Sequence, residues 1–546
     1  MKKRTLLSLI TFLTVSATNL YAQDLEKIFD DLARTLYQPE SPGLTVLVAK
    51  NDDILYRKAF GMANMELKVP MKPENVFELG SITKQFTAVA ILMLMEQGKI
   101  DLLDPITTYV PDYPMQGKQI TIHHLLNHTS GIKSYTEMGD LSSFARNDKT
   151  PTELIDYFKN EPMDFNPGDA WHYNNSGYII LGHIIEVVSG MSYADFIETN
   201  IFQPLGMTNS YYGSHTQLIR NRASGYMPSE SGYRNADYLS MTLPYAAGSL
   251  MSTVDDMFLW FQAIRDNTLI SAQSKAKAFT DTKLNNGKPT HYGYGWQIDE
   301  INGVQSIEHG GGIFGYVTQG VYVPSENVYV IILTNRNGNS PQSTAIKMAA
   351  HAIGEPFPSP KKAVALSDAQ LQKWVGNYDF EGVYRNITLR EGSLYSQREG
   401  SDPLKLYPVS ENDFYFEDGL ARYVFALENG QRTALFSQRI DQVKGMETGK
   451  KPATEKEVIT IDPAVLPDYE GTYELQPGFS IAVTVKDEKL YAQATGQPEF
   501  EIFPEAKDTF FLKVVAAQLV FGRDAQGTVV ELTLKQGGQE ITGVRK

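Results

Sequence analysis

The sequence predicts an α+β domain followed by two small all-β, barrel-like modules. Three observations predict it. Strand-like runs stand near both ends of residues 24–353, with helical segments between them, as in a sheet that takes both ends of its chain. A proline-rich stretch, Glu355-Pro356-Phe357-Pro358-Ser359-Pro360, then interrupts regular structure. Beyond it, short alternating strands recur in two copies.

The elements follow in chain order. Lys2, Lys3 and Arg4 precede the apolar run Leu6 to Val15, and Ala22 offers a cleavage point, so residues 1–22 read as a signal peptide. The expectation is a protein exported to a bacterial periplasm, with no membrane-spanning segment in the mature chain. Leu25 to Leu32 reads as an amphipathic helix, Gly43–Ala49 and Ile54–Phe60 as strands, and Phe86–Met95 as a long apolar helix. Strands return at Gly295–Ile298, Tyr316–Val323 and Val328–Thr334, and Ala345–Ala352 closes the domain as a helix. Residues 354–365 read as a linker, 366–445 as the first β module, 446–463 as a second linker and 464–546 as the second module. The repeat is ordered. Leu371-x-x-Trp374-Val375-Gly376-Asn377-Tyr378 matches Leu466-x-x-Tyr469-Glu470-Gly471-Thr472-Tyr473, Leu394-Tyr395 matches Leu490-Tyr491, and Leu406-Tyr407-Pro408 matches Ile502-Phe503-Pro504. Small β units of this kind need closure or mutual packing to hide their strand edges.

Composition excludes several functions. The 546 residues contain no cysteine, which removes disulfides, thiolate nucleophiles, Cys-based zinc sites and a lipid-modified Cys. A formal net charge of -15 argues against nucleic acid and anionic membrane surfaces as partners. The expected partner is a small-molecule or peptide substrate, with no cofactor and no metal; oligomeric state is left open. His123, His124 and His128 cluster without an obvious carboxylate and are assigned to structure, His128 bonding within its Thr129-Ser130-Gly131 turn.

Chemistry enters with Ser81 and Lys84. Three residues is nearly one helical turn, so both side chains share a face. Lys84 can take the Ser81 proton if burial or nearby positive charge lowers its pKa from about 10.4. The same spacing occurs at Ser130/Lys133, Ser274/Lys277 and Ser359/Lys362, but only Ser81 leads into a long apolar helix, with Gly80 placed for a tight turn. Two further elements follow in order: Tyr173-Asn174-Asn175, and His309-Gly310-Gly311-Gly312 on the approach to a strand.

In that order the three elements resemble the S-x-x-K, Y-x-N and K-T-G/H-x-G signature of the serine β-lactamase-like and penicillin-binding-protein superfamily. The branch is that of class C enzymes, D-alanyl-D-alanine carboxypeptidases, D-aminopeptidases and esterases, peptidase family S12. The resemblance covers about residues 25–353. It implies an antiparallel sheet flanked by helices (α/β/α) and a serine hydrolase acting through acyl-Ser81. Lys84 and Tyr173 are the alternative general bases, and Asn175 holds Lys84 and the substrate carbonyl. Gly310, Gly311 and Gly312 let substrate backbone lie along the strand. The Ser81 and Gly312 N–H groups form the oxyanion hole. His309 departs from the lysine of class C β-lactamases but is the residue that carboxypeptidase- and aminopeptidase-type members carry there, which argues against a dedicated β-lactamase and leaves peptidase, amidase and esterase activity open. The C-terminal modules resemble the lipocalin-like domains attached to some of these hydrolases. D-peptides, peptidoglycan stems, β-lactams and esters all remain as substrates, and a non-hydrolytic penicillin-binding sensor or scaffold remains as an alternative. Glu78 and the stretch Leu243–Leu250 are assigned structural roles.

Overall fold

A computed structural model describes residues 24–139, 144–398, 401–449, 458–476, 479–495, 497–513, 515, 517–536 and 539–546. The segment read as a signal peptide, residues 1–22, and the middle of the second predicted linker lie outside them. The chain divides into two compact units, one ending at Phe357 and one beginning at Pro358.

The first unit is built on six strands: β1 Leu44–Lys50, β2 Asp53–Phe60, β3 Gln297–Ile301, β4 Val304–Ile313, β5 Tyr316–Val323 and β6 Val328–Thr334. Their order is β3-β4-β5-β6-β1-β2, and every neighbouring pair is antiparallel. The two ends of the domain meet at the centre, where Leu44 pairs with Thr334 and Lys50 with Val328. β6 is buried along its whole length and β1 up to Lys50, so side chains on both of their faces need cover. Helices Val254–Arg265 and Gln342–Ile353 both pack on this pair.

The rest of the unit, among the described residues, is helices and loops with three small sheets of two or three strands. Helix Thr83–Glu96 is buried from Thr83 through Leu92, as an apolar stretch must be when it is hydrophobic all round. It packs on helix Asn175–Ser189. Asn174 starts that second helix by accepting the Gly177 N–H, and Gly190 ends it in the left-handed region at φ 72°. No single described helix is long and apolar enough to cross a membrane.

The second unit holds the two β modules. Residues 376–447 form one nine-stranded sheet whose two ends are the short strands Leu404–Lys405 and Tyr407–Pro408, either side of Leu406. Residues 471–545 form a closed barrel of eight strands. The predicted repeat has a physical basis. The Tyr378 hydroxyl donates to the Trp374 carbonyl at 2.9 Å, and the Tyr473 hydroxyl donates to the Tyr469 carbonyl at 2.8 Å. Leu394 and Leu406 sit in the first core, as Leu490 and Ile502 sit in the second.

Candidate active site

Strand Phe77–Glu78 runs into a 3-10 turn, Gly80–Ile82, before helix Thr83–Glu96 begins. Ser81 therefore sits on a turn just ahead of the helix. Gly80 is required there twice over: its φ is 55°, and an added Cβ would lie 2.9 Å from the Gly312 nitrogen. One turn on, Lys84 is completely buried and its Nζ lies 3.2 Å from Ser81 Oγ. Lys84 also donates to Asn175 Oδ1 at 2.8 Å and to the Ala247 carbonyl at 2.9 Å. Asn175 is held in that orientation because its Nδ2 donates to Thr136 Oγ1 at 3.1 Å.

Burial drives the Lys84 pKa well below the usual lysine range. A neutral amine has two N–H groups and one lone pair. Both of its other partners can only accept, so they consume the two N–H groups. The lone pair is left for the Ser81 hydroxyl.

Tyr173 stands on the other side of this pair. Its hydroxyl is buried without a well-formed hydrogen bond, although Ser81 is near enough to pull the phenol pKa down. Burial is the larger effect and keeps the phenol protonated. Lys84 Nζ lies 4.7 Å from the centre of the Tyr173 ring, over its face.

The third element lies on β4. His309 is buried and both of its ring nitrogens are engaged. Nδ1 is 2.6 Å from the Gly310 carbonyl and must donate to it; Nε2, 2.8 Å from Tyr292 Oη, then accepts the tyrosine proton. Burial lowers the His309 pKa to about 3, so the ring is neutral. The three glycines serve different ends. A Cβ on Gly311 would fall 1.9 Å from the Leu79 carbonyl oxygen, and one on Gly310 would fall 2.8 Å from Gln319 Oε1. A Cβ on Gly312 would meet nothing within 4 Å.

A cavity of about 600 Å³ opens over Ser81. Asn175 and Gly312 line it together with the apolar Leu239, Leu243 and Phe314. Arg234 lines it too, but its guanidinium is paired with Asp237 at 2.8 and 2.9 Å.

One residue and one stretch behave differently from their sequence assignment. His128 does not bond within its own turn: its Nδ1 accepts the Asn174 N–H at 3.1 Å. The stretch Leu243–Leu250 includes a partner of Lys84, the Ala247 carbonyl, on a short helix, Tyr245–Gly248. That helix starts at Tyr245 with φ 40°, a strained conformation for an aromatic residue. No side-chain signal marks a backbone acceptor, so motif reading passes over it. Glu78 is buried and takes the Arg222 guanidinium at 2.7 Å. His123 lies between Tyr294 Oη at 2.7 Å and Asn127 Nδ2 at 3.0 Å, and the His124 ring completes the Thr121 capping box. Glu137, Asp164 and His172 converge at the surface, where the Lys133 ammonium, 3.1 Å from Asp164 and 3.7 Å from Glu137, supplies the counter-charge.

Comparison with known proteins places this geometry in context. The Beta-lactamase family model matches residues 25–354, and the model for a domain of unknown function, DUF3471, matches residues 455–545. Penicillin-binding protein 4* of Bacillus subtilis is 34% identical over 72% of this chain and 92% of its own length. A D-aminopeptidase of Gluconobacter oxydans is 28% identical over 61% of this chain and 64% of its own. Among solved structures, the octameric penicillin-binding protein homologue from Pyrococcus abyssi superposes with a TM-score of 0.55 at 27% identity, over 78% of this chain and 99% of that one.

Proposed function

Because the chain belongs to the Beta-lactamase family of serine hydrolases, we propose that it cleaves amide bonds of small D-amino acid derivatives through an acyl-Ser81 intermediate, as a D-aminopeptidase or amidase does. The observation that carries the mechanism is the buried Lys84 amine, held by two acceptors with its Nζ 3.2 Å from Ser81 Oγ. Lys84 takes the Ser81 proton as Oγ attacks the carbonyl. The Ser81 and Gly312 N–H groups receive the developing oxyanion. Tyr173, a phenol that burial keeps protonated, gives its proton to the departing amine. The resulting Lys84 ammonium and Tyr173 phenolate attract one another across the contact already present. Water then attacks the acyl carbon, returns a proton to Tyr173, and Ser81 recovers its own from Lys84.

The substrate class follows from charge. A C-terminal carboxylate beside the scissile bond is held more strongly by a fixed cation than by a neutral imidazole. His309 is neutral with both nitrogens engaged, and Arg234 is already paired. This favours aminopeptidase or amidase action over carboxypeptidase or β-lactamase action, and the wall of Leu239, Leu243 and Phe314 favours an apolar side chain. Export to the periplasm rests on the first 22 residues. The closed eight-stranded barrel supports a lipocalin-like reading of the last module.

The test is a screen of purified protein against D-aminoacyl p-nitroanilides, D-Ala-D-Ala peptides, nitrocefin and p-nitrophenyl esters, with Ser81→Ala as control. Turnover of the anilides with apolar D-side chains, abolished in the control, is expected. Folded protein in which a fluorophosphonate leaves Ser81 unlabelled would overturn the mechanism. Preferential turnover of D-Ala-D-Ala peptides or nitrocefin would overturn the substrate class.

A further inference from the structure

We propose that His128 is a positioning residue for Tyr173: it holds the backbone on both sides of the tyrosine and packs its ring against the phenol, setting where the hydroxyl points. Three observations converge on it. The His128 carbonyl accepts the His172 N–H at 3.0 Å, and its Nδ1 accepts the Asn174 N–H at 3.1 Å. Those two N–H groups flank Tyr173, so one residue grips the chain immediately before and after it. The His128 ring centre lies 4.4 Å from that of Tyr173, with Tyr292 at 4.7 Å and Tyr178 at 5.3 Å on its other sides. Finally, the backbone at His128 is left-handed, φ 63°, a conformation uncommon for residues that carry a Cβ. Neighbouring bonds hold that state: Asn127 Oδ1 receives both the N–H and the hydroxyl of Thr129, and Asn127 Nδ2 donates to His123 Nε2.

The tautomer is set by the same contacts. Nδ1 accepts, so the neutral ring carries its proton on Nε2, which is buried with no partner. The groups facing the ring are Lys84, His172, Tyr173, Tyr178, Tyr292 and His309. Burial drives the His128 pKa well below the usual imidazole range, so the ring is uncharged. It therefore orients the phenol and excludes water from it without competing for the proton.

This inference rests on Tyr173 being the proton donor, and the test separates the two. His128→Asn keeps a residue that accepts positive φ, and keeps the carbonyl that receives His172, while removing the ring. His128→Gly does the same and leaves a ring-sized space. Both are expected to lower kcat about tenfold to a hundredfold with KM within about threefold, as misplacement of a reacting group does. Water admitted beside Tyr173 lowers its pKa, so the alkaline limb of the kcat profile moves to lower pH in both variants. Added imidazole is expected to restore part of kcat in His128→Gly. The inference falls if folded His128→Asn, checked by its melting temperature, keeps kcat within twofold and an unchanged pH profile while Tyr173→Phe is impaired. If Tyr173→Phe is itself unimpaired, the proton-donor reading falls instead.

Discussion

Gly311→Ala is expected to damage catalysis far more than the same change at either neighbour. The added Cβ would sit 1.9 Å from the Leu79 carbonyl oxygen, which also accepts the Thr318 hydroxyl at 2.8 Å. A carbon-to-oxygen contact settles at about 3.3 Å, so β4 and the turn carrying Ser81 have to part by about 1.4 Å. Overpacking of this kind costs about 1–3 kcal/mol of stability. The larger effect is on rate. Ser81 and Gly312 lie on the two pieces that move apart, and a displacement near 1 Å costs about a hundredfold. Gly310→Ala meets only the end of the Gln319 side chain, at 2.8 Å, which can swing aside. Gly312→Ala meets nothing within 4 Å and only adds a methyl to the cavity wall, so it is expected to raise KM and leave the melting temperature unchanged. The assay is hydrolysis of a chromogenic D-aminoacyl anilide, with the rate of fluorophosphonate labelling and a melting temperature for each variant. Gly311→Ala protein that keeps kcat within threefold, or Gly312→Ala that is the less stable of the two, refutes the argument that β4 positions the nucleophile.

Lys84→Met is expected to lose at least about a hundredfold in acylation while becoming more stable near neutral pH. Folding depresses the Lys84 pKa, so the stability linked to it is present above the unfolded value of about 10.4 and lost as pH falls; the Met variant's advantage should shrink as melting is followed from pH 7 to 10. Glu78 is shifted the other way, up to about 7, because burial outweighs the Arg222 charge. Its contribution is complete below the unfolded pKa of about 4.3 and is lost as pH rises through about 7, so Glu78→Gln should flatten the decline of melting temperature across that window. Tyr378→Phe and Tyr473→Phe each remove one buried hydroxyl-to-carbonyl bond from equivalent places in the repeat, and each should cost about 1–2 kcal/mol in denaturant unfolding. Strongly unequal losses would count against a shared design.

The parts of the site readable in advance are those in which a side chain carries the chemistry at a fixed spacing. Ser81 and Lys84 meet because they are three residues apart at a helix start, and Asn175 reaches Lys84 from the first turn of the next long helix. The sheet was readable because β1 and β6 are apolar runs near the two ends of the domain. What escaped depends on backbone or on distant packing. Ala247 contributes only a carbonyl, and its approach to Lys84 depends on the unusual φ of Tyr245. The turn motif around His128 suggested a local bond, but its partner, Asn174, is 46 positions away. Gly311 looked like room for substrate, whereas the Leu79 carbonyl occupies that face. The repeat announced two similar modules, yet one closes its barrel and the other ends its sheet on either side of Leu406, a difference made by a break in pairing and not by hydrophobic pattern.

The pairing of β1 with β6 also sets a timetable. As the ribosome releases the chain from its N-terminus, β1 and β2 emerge early, but the inner edge of β1 has no neighbour until Val328–Thr334 has been synthesised. At about 5–20 residues per second that interval lasts tens of seconds. Non-local closure of this kind is slow even once all the strands are present. The nascent domain thus stays unfinished through most of its production, with an open strand edge that only the last strand of the domain can cover.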